Sequence, residues 1–382
     1  MKNRICPVCE SDKKIKIHSL HMEIPEIWKL PKWYDIVNCL NCGFCFADTS
    51  ASVEDYSYYY SNFNMYNGNP QNADKKEIYI KLASIYSEYA RKDEYIIDMG
   101  CGDGSFIIEM GKIGFNNICG MDTSQSSIDN LREKGINAVY QSIYDMYVGE
   151  KADWLHLGGV LEHLLLPREA ILNARKYIKD NGKVTLVVPN IDNLYMADAS
   201  GNYFFNHEHI NYFSLKLLKK IMFQLGFQYV DSDSDFNQNH DMFVIFEKCE
   251  MPQTVNFIYD GDDNQKICDF FEKYERDVNE KKEIITDLVL KKTPLIVWGC
   301  GAMLFTLLRE TDLGKANIVA YVDNNPEKQK NLVICNQRVY SPDIIRANNL
   351  EGTILVCNAF GGKSLLEDIK RRELKHDVIV MH

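Results

Sequence analysis

One stretch constrains this chain more than any other: Tyr95-Ile96-Ile97-Asp98-Met99-Gly100-Cys101-Gly102-Asp103-Gly104. An apolar run ends in an acid, and three glycines then alternate with other residues. A helical pattern follows over 105–113. A buried strand that turns through glycines straight into a helix is the opening βα unit of a doubly wound α/β sheet. Without a Cβ, the turn lets the backbone pass close to a ligand. The spacing is G-x-G-x-G, which differs from the G-x-G-x-x-G of dinucleotide-binding folds. Asp98, just before the turn, is placed to meet the polar tail of such a ligand.

The neighbouring segments continue the pattern. Residues 77–90 are apolar near helical spacing and read as an amphipathic helix. Asn117-Ile118-Cys119-Gly120-Met121-Asp122 reads as a second strand, ending in an acid 22 positions after Gly100. An acid there can accept hydrogen bonds from both hydroxyls of a ribose. A helix is expected over 126–134 and a third strand over 138–140. The fourth strand, Trp154-Leu155-His156-Leu157, runs into Gly158-Gly159-Val160-Leu161-Glu162-His163. A fifth, Val184-Thr185-Leu186-Val187-Val188, is closed by Pro189-Asn190.

The N-terminal region has its own signal. Cys6-Pro7-Val8-Cys9 and Cys39-Leu40-Asn41-Cys42 are two C-x2-C pairs. Two such turns can complete a tetrahedral site of four thiolates, and four leave no open position for catalysis. Cys6, Cys9, Cys39 and Cys42 are therefore read as ligands of a structural zinc ion. The residues between the pairs should form a small strand-bearing insert. Gly43 stands where a knuckle turn needs positive φ, and Cys45 is a surplus thiol for the core. The aromatic run Tyr56, Tyr58, Tyr59, Tyr60, Phe63, Tyr66 reads first as a loop packed by amphipathic rings, and second as a lid whose hydroxyls meet a ligand.

Composition excludes several classes. The chain has 382 residues, enough for two or three domains. With 46% hydrophobic and 25% charged residues it is not a disordered sequence. No apolar stretch reaches the roughly 18 residues of a membrane helix and no signal-peptide block opens the chain, so the expected setting is cytoplasmic, away from membranes. The net charge of −11 repels phosphate backbones, so no nucleic-acid partner is expected.

Past the fifth strand lies Phe205-Asn206-His207-Glu208-His209-Ile210-Asn211-Tyr212-Phe213-Ser214. Three ionisable groups in a row stand at the mouth of the expected cleft, and histidine or a buried glutamate can act as a base near neutral pH. The bland alternative is a hydrogen-bonded loop anchor. His207 and His209 at i and i+2 do not make the H-E-x-x-H zinc helix. Ser214 reads as the N-cap of a helix over 215–225. Further on, 264–292 reads as a connecting helix. Leu295-Ile296-Val297-Trp298-Gly299-Cys300-Gly301-Ala302 repeats the strand and glycine turn, and Ile318-Val319-Ala320-Tyr321-Val322-Asp323 ends in another acid. Asn324-Asn325-Pro326 forms a turn, and Ile354-Leu355-Val356-Cys357-Asn358 then Gly361-Gly362 closes a second, smaller Rossmann-like sheet. Its third fingerprint glycine is absent, which points to packing, or to a wall of a ligand site, over a second dinucleotide site.

The hydrophobic–Asp–x–Gly–x–Gly–x–Gly run, the acid ending the second strand, and Leu161-Glu162-His163 after the fourth resemble class I S-adenosylmethionine-dependent methyltransferases over roughly 77–230. The resemblance implies that Asp98, Gly100 and Gly102 line the methionine moiety and that Asp122 holds the ribose. It places Ser142 near the adenine and Gly159 beside the methionine end. Glu162 and His163 match a motif whose role varies. The domain order resembles a narrower family, the sugar C-methyltransferases of nucleotide-linked keto-deoxysugars. These have a four-cysteine zinc domain, a methyltransferase core, a third α/β domain, and a Tyr-His-Glu-His segment followed by Tyr-Phe-Ser. This resemblance implies that Glu208 and His209 take part in acceptor activation, with His209 the favoured base and His207 beside them. The departure is Asn206, where the family usually has tyrosine. It keeps an O- or N-methyltransferase on the same kind of sugar as an alternative. Another class is a zinc-knuckle module binding RNA or protein, with the methyltransferase fold serving it. The expectation is an α/β enzyme with a zinc-binding region at 1–70, a Rossmann-like methyltransferase core at 71–248 and a Rossmann-like C-terminal domain at 249–382. Its cofactors would be S-adenosylmethionine and structural zinc, and its partner a nucleotide-sugar substrate.

Overall fold

In the computed structural model, residues 4–22, 24, 26–63, 73–145, 149–196, 204–236, 240–252, 262–357 and 363–381 are described. The chain divides into two compact units: among the described residues, one holds those up to 196 and 204–268, and the other those from 269.

The first unit opens with β1 (Lys14–His21), β2 (Trp33–Cys39) and β3 (Cys45–Asp48), then helices α1 (Val53–Phe63) and α2 (Ala73–Tyr89). The insert between the cysteine pairs thus carries two strands, as its length demanded. Gly43 has φ 77° in the turn after Cys42, and Cys45 is fully buried. The aromatic run expected as a loop is instead helical as far as Phe63. Tyr56, Tyr59, Tyr60 and Phe63 recur at i, i+3, i+4 and i+7, so one helix face carries them. Tyr66 lies outside the described residues.

There follow β4 (Ile96–Met99), α3 (Ser105–Lys112), β5 (Ile118–Asp122), α4 (Gln125–Glu133), β6 (Ala138–Tyr140), β7 (Ala152–Gly158), α5 (Pro167–Tyr177) and β8 (Ile178–Pro189). The unit is completed by β9 (Asn211–Tyr212), α6 (Leu215–Gln224), β10 (Phe227–Ser232) and β11 (Asp241–Lys248). Ser214 caps α6 as expected, its hydroxyl accepting from the Leu217 amide at 3.1 Å. Seven strands lie in the order β10-β11-β8-β7-β4-β5-β6. From β8 to β6 all neighbours are parallel, and β11 runs antiparallel between β8 and β10. The order reverses at β4, so the crevice beyond the carboxyl ends of β4 and β7 is the place where such sheets bind ligands.

Alternation along the strands feeds two cores. Ile97 and Met99 face one with Ala170 and Tyr177 of α5 and Leu218 and Ile221 of α6. Ile96 faces the other with Tyr86 of α2, Met110 of α3 and Leu131 of α4. Each fully buried aliphatic side chain of this kind contributes roughly 1.5–3 kcal/mol. The first core also takes in Cys6, Val37, Cys39, Cys42, Phe44 and Phe46, so the four-cysteine region and the Rossmann-type sheet share apolar packing. They share a sheet as well: β9 pairs antiparallel with β3, giving the order β1-β2-β3-β9.

The helix α7 (Asp262–Leu290) leads into the second unit. There β12 (Leu295–Trp298), α8 (Ala302–Glu310), β13 (Ile318–Val322), α9 (Pro326–Asn331), β14 (Val333–Ile334), β15 (Gln337–Tyr340), α10 (Ile344–Ala347), β16 (Thr353–Cys357), α11 (Lys363–Arg371) and β17 (Val378–Met381) build a second sheet. Its order is β14-β15-β13-β12-β16-β17, with β12 parallel to both β13 and β16. Cores lie on both faces. Asn358, Gly361 and Gly362 fall outside the described residues. Among the described residues, no helix is long and apolar enough to cross a membrane.

Candidate active site

The ends of β4, β5 and β7 and the helix α1 border an open cleft. Gly100, Gly102, Asp122, Ser142 and Gly159 all lie on its wall, together with Tyr56, Tyr60, His163 and Glu208. The turn after β4 is held in a conformation that side chains resist. Gly100 and Gly104 have φ of 79° and 76°, and a Cβ would come within 2.6 Å of Val160 Cγ2 at the first and 2.4 Å of Leu131 Cδ2 at the second. The turn is therefore a bare-backbone cradle wedged against two neighbouring elements.

Asp122 grips this cradle. Its Oδ2 accepts the Gly102 amide at 2.9 Å, and its Oδ1 accepts the Ser124 amide at 2.8 Å. Burial raises its pKa against the pull of these amides. Gln141 donates its amide to the Asp122 carbonyl at 3.0 Å, which places Ser142 on the same wall. Asp98 is not part of the cleft surface. It pairs with Gly120 on one side and His156 on the other, at 3% exposure, with Oδ2 buried and without a partner. Burial, and then the charges of Asp122 and Asp103, push its carboxyl up to about 8. Beneath the floor, His156 stacks on Phe106 at 4.1 Å and meets Thr185 Oγ1 at 2.9 Å. Desolvation lowers its pKa to about 3, so it is a neutral core histidine.

The Asn206–Asn211 segment contributes Glu208 to the lining of the cleft. Asn206 Oδ1 accepts from the amides of Glu208 and His209 at 2.8 and 2.9 Å. The amide that stands where a phenol was expected thus shapes the turn. Of the three ionisable residues, Glu208 reaches the cleft wall, while His207 and His209 do not line it. Tyr59 donates its hydroxyl proton to Glu208 Oε1 at 2.8 Å and sits 2.9 Å from His207 Nε2. A hydroxyl has one proton to give, so the His207 nitrogen is the donor in the second contact. Burial lowers the His207 pKa to about 4, keeping it neutral. His209 packs edge-on against His163, with ring centroids 4.9 Å apart. Burial raises the Glu162 carboxyl well above its ordinary value and lowers His163 well below its own.

Two residues that local sequence reading passes over hold this wall in place. Asn211 Nδ2 donates to the carbonyls of Leu161 at 3.0 Å and Leu164 at 2.7 Å, tying the Glu162-His163 turn to the segment after it. The Arg4 guanidinium donates to the carbonyls of Ala47, Ile210 and Leu165 and to Asn211 Oδ1, at 2.7–3.2 Å. Burial lowers its pKa to about 10. No local motif marks either residue. The helical spacing of the tyrosines was visible and would have identified α1 as a wall.

Cys6 and Cys42 Sγ are 3.5 Å apart, as are Cys9 and Cys39 Sγ, and all four sulfurs lie within 4.8 Å of one another. A tetrahedral zinc with bonds near 2.3 Å requires edges of about 3.8 Å, so the cluster has the dimensions and donor set of a four-thiolate site.

Residues 73–232 match the family model described as a methyltransferase domain. Human EEF1A lysine methyltransferase 2 is 28% identical over 104 residues, covering 25% of this chain and 44% of that protein. An uncharacterized 37.1 kDa protein in transposon TN4556 of Streptomyces fradiae is 26% identical over 113 residues, covering 28% of this chain and 33% of that one. The chain thus spans less than half the length of these curated relatives. Among solved structures, magnesium protoporphyrin IX methyltransferase from Synechocystis PCC 6803 with bound S-adenosylmethionine is similar, with TM-score 0.40 and 14% identity over 52% of this chain and all of that one. Residues 73–232, which hold the glycine-turn cleft, thus match a methyltransferase domain.

Proposed function

We propose that this protein methylates a nucleotide-linked sugar, and that carbon beside a keto group is the acceptor. One observation carries the reading: the glycine-turn cleft at the switch point of the sheet is also lined by an ionisable residue from outside the glycine turns, Glu208. The unpartnered Asp98 Oδ2 and the Cβ-free cradle fit a cationic, closely approached donor. Gly100, Gly102, Asp122, Ser142 and Gly159 would hold S-adenosylmethionine. When bound, it supplies an electrophilic methyl group on a sulfonium.

The chain's own part is positioning and proton transfer. We assign the base to Glu208 rather than His209, because Glu208 is the member of the trio on the cleft wall. Tyr59 holds the Glu208 carboxylate, which would take a proton from the carbon next to the acceptor's carbonyl. Tyr56 and Tyr60 of α1 line the same cleft and would pack against a sugar there. The four cysteines hold a structural zinc ion, which fixes the β1-β2-β3-β9 sheet and, through it, the Glu208 segment.

O- or N-methylation of the same kind of sugar is the second reading. The observation favouring it is that Asn206 spends its side-chain oxygen on the turn. Incubation with S-adenosylmethionine and a panel of keto and non-keto nucleotide sugars, followed by mass spectrometry, separates the two. Methylation of keto sugars with exchange of a ring-carbon proton in deuterated water is expected. Methylation confined to non-keto sugars transfers the assignment to O- or N-chemistry, and no product with any sugar rejects both.

A further inference from the structure

We propose that Glu162, His163 and His209 form a second metal site, for a divalent first-row transition ion, at the acceptor end of the cleft. One ligand atom from each lies within 4.8 Å of the others. An ion about 2.0–2.2 Å from each ligand spans pairs roughly 3–4 Å apart, so side-chain adjustments of about 1–2 Å at most close the site. Two imidazoles and one carboxylate are a donor set shared by zinc enzymes and by facial-triad sites, and it leaves coordination positions open.

Three independent features point the same way. Glu162 is 3% exposed, and its Oε2 is buried with no partner. A carboxylate oxygen in that state is costly unless something satisfies it. The His163 ring is already oriented as a ligand would be. Its Nδ1 faces the Glu208 carbonyl at 3.1 Å, so it donates there, and the lone pair of Nε2 is left 3.6 Å from Glu162 Oε1. A backbone carbonyl on the distal nitrogen is the usual support of a metal-bound histidine. Finally, the two ligand-bearing segments are clamped together by Asn211 and by the Ile210 amide, which donates to the Glu162 carbonyl at 2.9 Å. The ligands therefore stand on fixed backbone.

His163 lines the cleft, and Tyr60, whose hydroxyl is also buried without a partner, lies edge-on to it at 5.8 Å. An ion there would face the acceptor and polarise its carbonyl or hydroxyl oxygen as a Lewis acid. That role rests on the sugar-methylation reading above, whereas occupancy of the site does not.

Manganese is the discriminating probe, because it prefers nitrogen and oxygen donors and leaves thiolates aside. The full-length protein is titrated with Mn2+ alone and the free ion is followed by electron paramagnetic resonance. One bound equivalent in the wild type is expected, lost in His163→Gln and in Glu162→Gln. Should a variant fail to fold, Co2+ titration of the wild type decides. A second saturation without thiolate charge-transfer absorption supports the site, and a single thiolate-type saturation overturns it. All manganese remaining free in the wild type, or equal binding by folded His163→Gln, overturns it as well. Turnover of a sugar without manganese or cobalt binding sinks this inference alone. Metal binding without turnover of any sugar sinks the functional reading and leaves the metal site standing.

Discussion

Asp98 is the most informative single residue to perturb. Its carboxyl is held at about 8, raised mainly by burial and then by Asp122 and Asp103, against 3.8 for an ordinary aspartate. Between those values the folded chain holds a proton that the unfolded chain has released. Stability attributable to this group is therefore fully present below about pH 4 and falls as pH rises through 8. One unit of pKa difference is worth 1.36 kcal/mol, so the loss between pH 6 and pH 8 is about 2 kcal/mol, rising toward about 5–6 kcal/mol over the whole window. Asp98→Asn keeps the shape and removes the titration. Urea unfolding of both proteins at pH 6, 7 and 8 should show the wild type losing about 2 kcal/mol more than the variant across that range. Burial of the neutral His156 acts in the opposite sense and at lower pH, so the difference between the two proteins isolates Asp98. Donor binding gives a second readout. A cation bound in the cleft would favour the ionised form of the buried Asp98 near it, so binding at pH 7 should release part of a proton, measured by calorimetry in buffers of different ionisation enthalpy. Parallel pH profiles for the two proteins, or binding heats independent of the buffer, would refute the raised carboxyl.

Other expectations follow from the same geometry. Asp122→Ala should weaken S-adenosylmethionine binding by about 1–3 kcal/mol, because the Gly102 and Ser124 amides lose their acceptor and the ribose its partner; unchanged affinity by calorimetry would reject the assignment. Gly104→Ala should cost about 1–3 kcal/mol of stability in thermal unfolding, since φ is 76° and the new Cβ strikes Leu131. Arg4→Met should cost about 2–4 kcal/mol by leaving buried carbonyls without a donor. A variant as stable as the parent would show that the guanidinium does not hold these backbone segments together. Cys39→Ser should release zinc, read by elemental analysis and by loss of the near-ultraviolet dichroism of Phe44 and Phe46; full metal retention would reject the four-thiolate site.

How far the sequence reached depended on whether the signal was local. The β4–turn–α3 unit was legible because strand, acid and glycines are contiguous, and the turn conformation requires glycine at 100 and 104. The four cysteines and the Gly43 turn were legible for the same reason. The placement of Glu208 was not, because it is set by contacts across more than a hundred residues: Tyr59 from α1, Arg4 from the N-terminus and the β3–β9 pairing. The Tyr-rich run was misread as a loop because hydroxyls and polar neighbours masked a helical period that tertiary packing then selected. Asn206 marks a departure from tyrosine in the sequence, but only the fold shows that its side-chain oxygen is committed to two backbone amides.

The two glycine turns of the chain show why one local pattern does not fix function. In both, the acid ending the next strand reaches back to a turn amide: Asp122 to Gly102 at 2.9 Å, and Asp323 to Cys300 at 2.8 Å. The surroundings then diverge. Asp122 is met by backbone amides and faces an open cleft, so its carboxylate has acceptor capacity to offer a ribose. Asp323 also takes the Asn325 amide at 2.9 Å and the Lys328 ammonium at 2.9 Å, which neutralises it inside its own unit. A hydroxyl ligand at the second turn would have to displace a charge-assisted bond, roughly twice as strong as the neutral one it would make. The electrostatics therefore favour the first turn for the donor and leave the second as a packing device, and a Lys328→Met exchange should expose the difference. Freed of its ammonium, Asp323 should acquire adenosine affinity if the lysine is what closes the site. A variant still blind to adenosine by calorimetry would mean that the shape of the second turn, and not its charge, excludes the nucleoside.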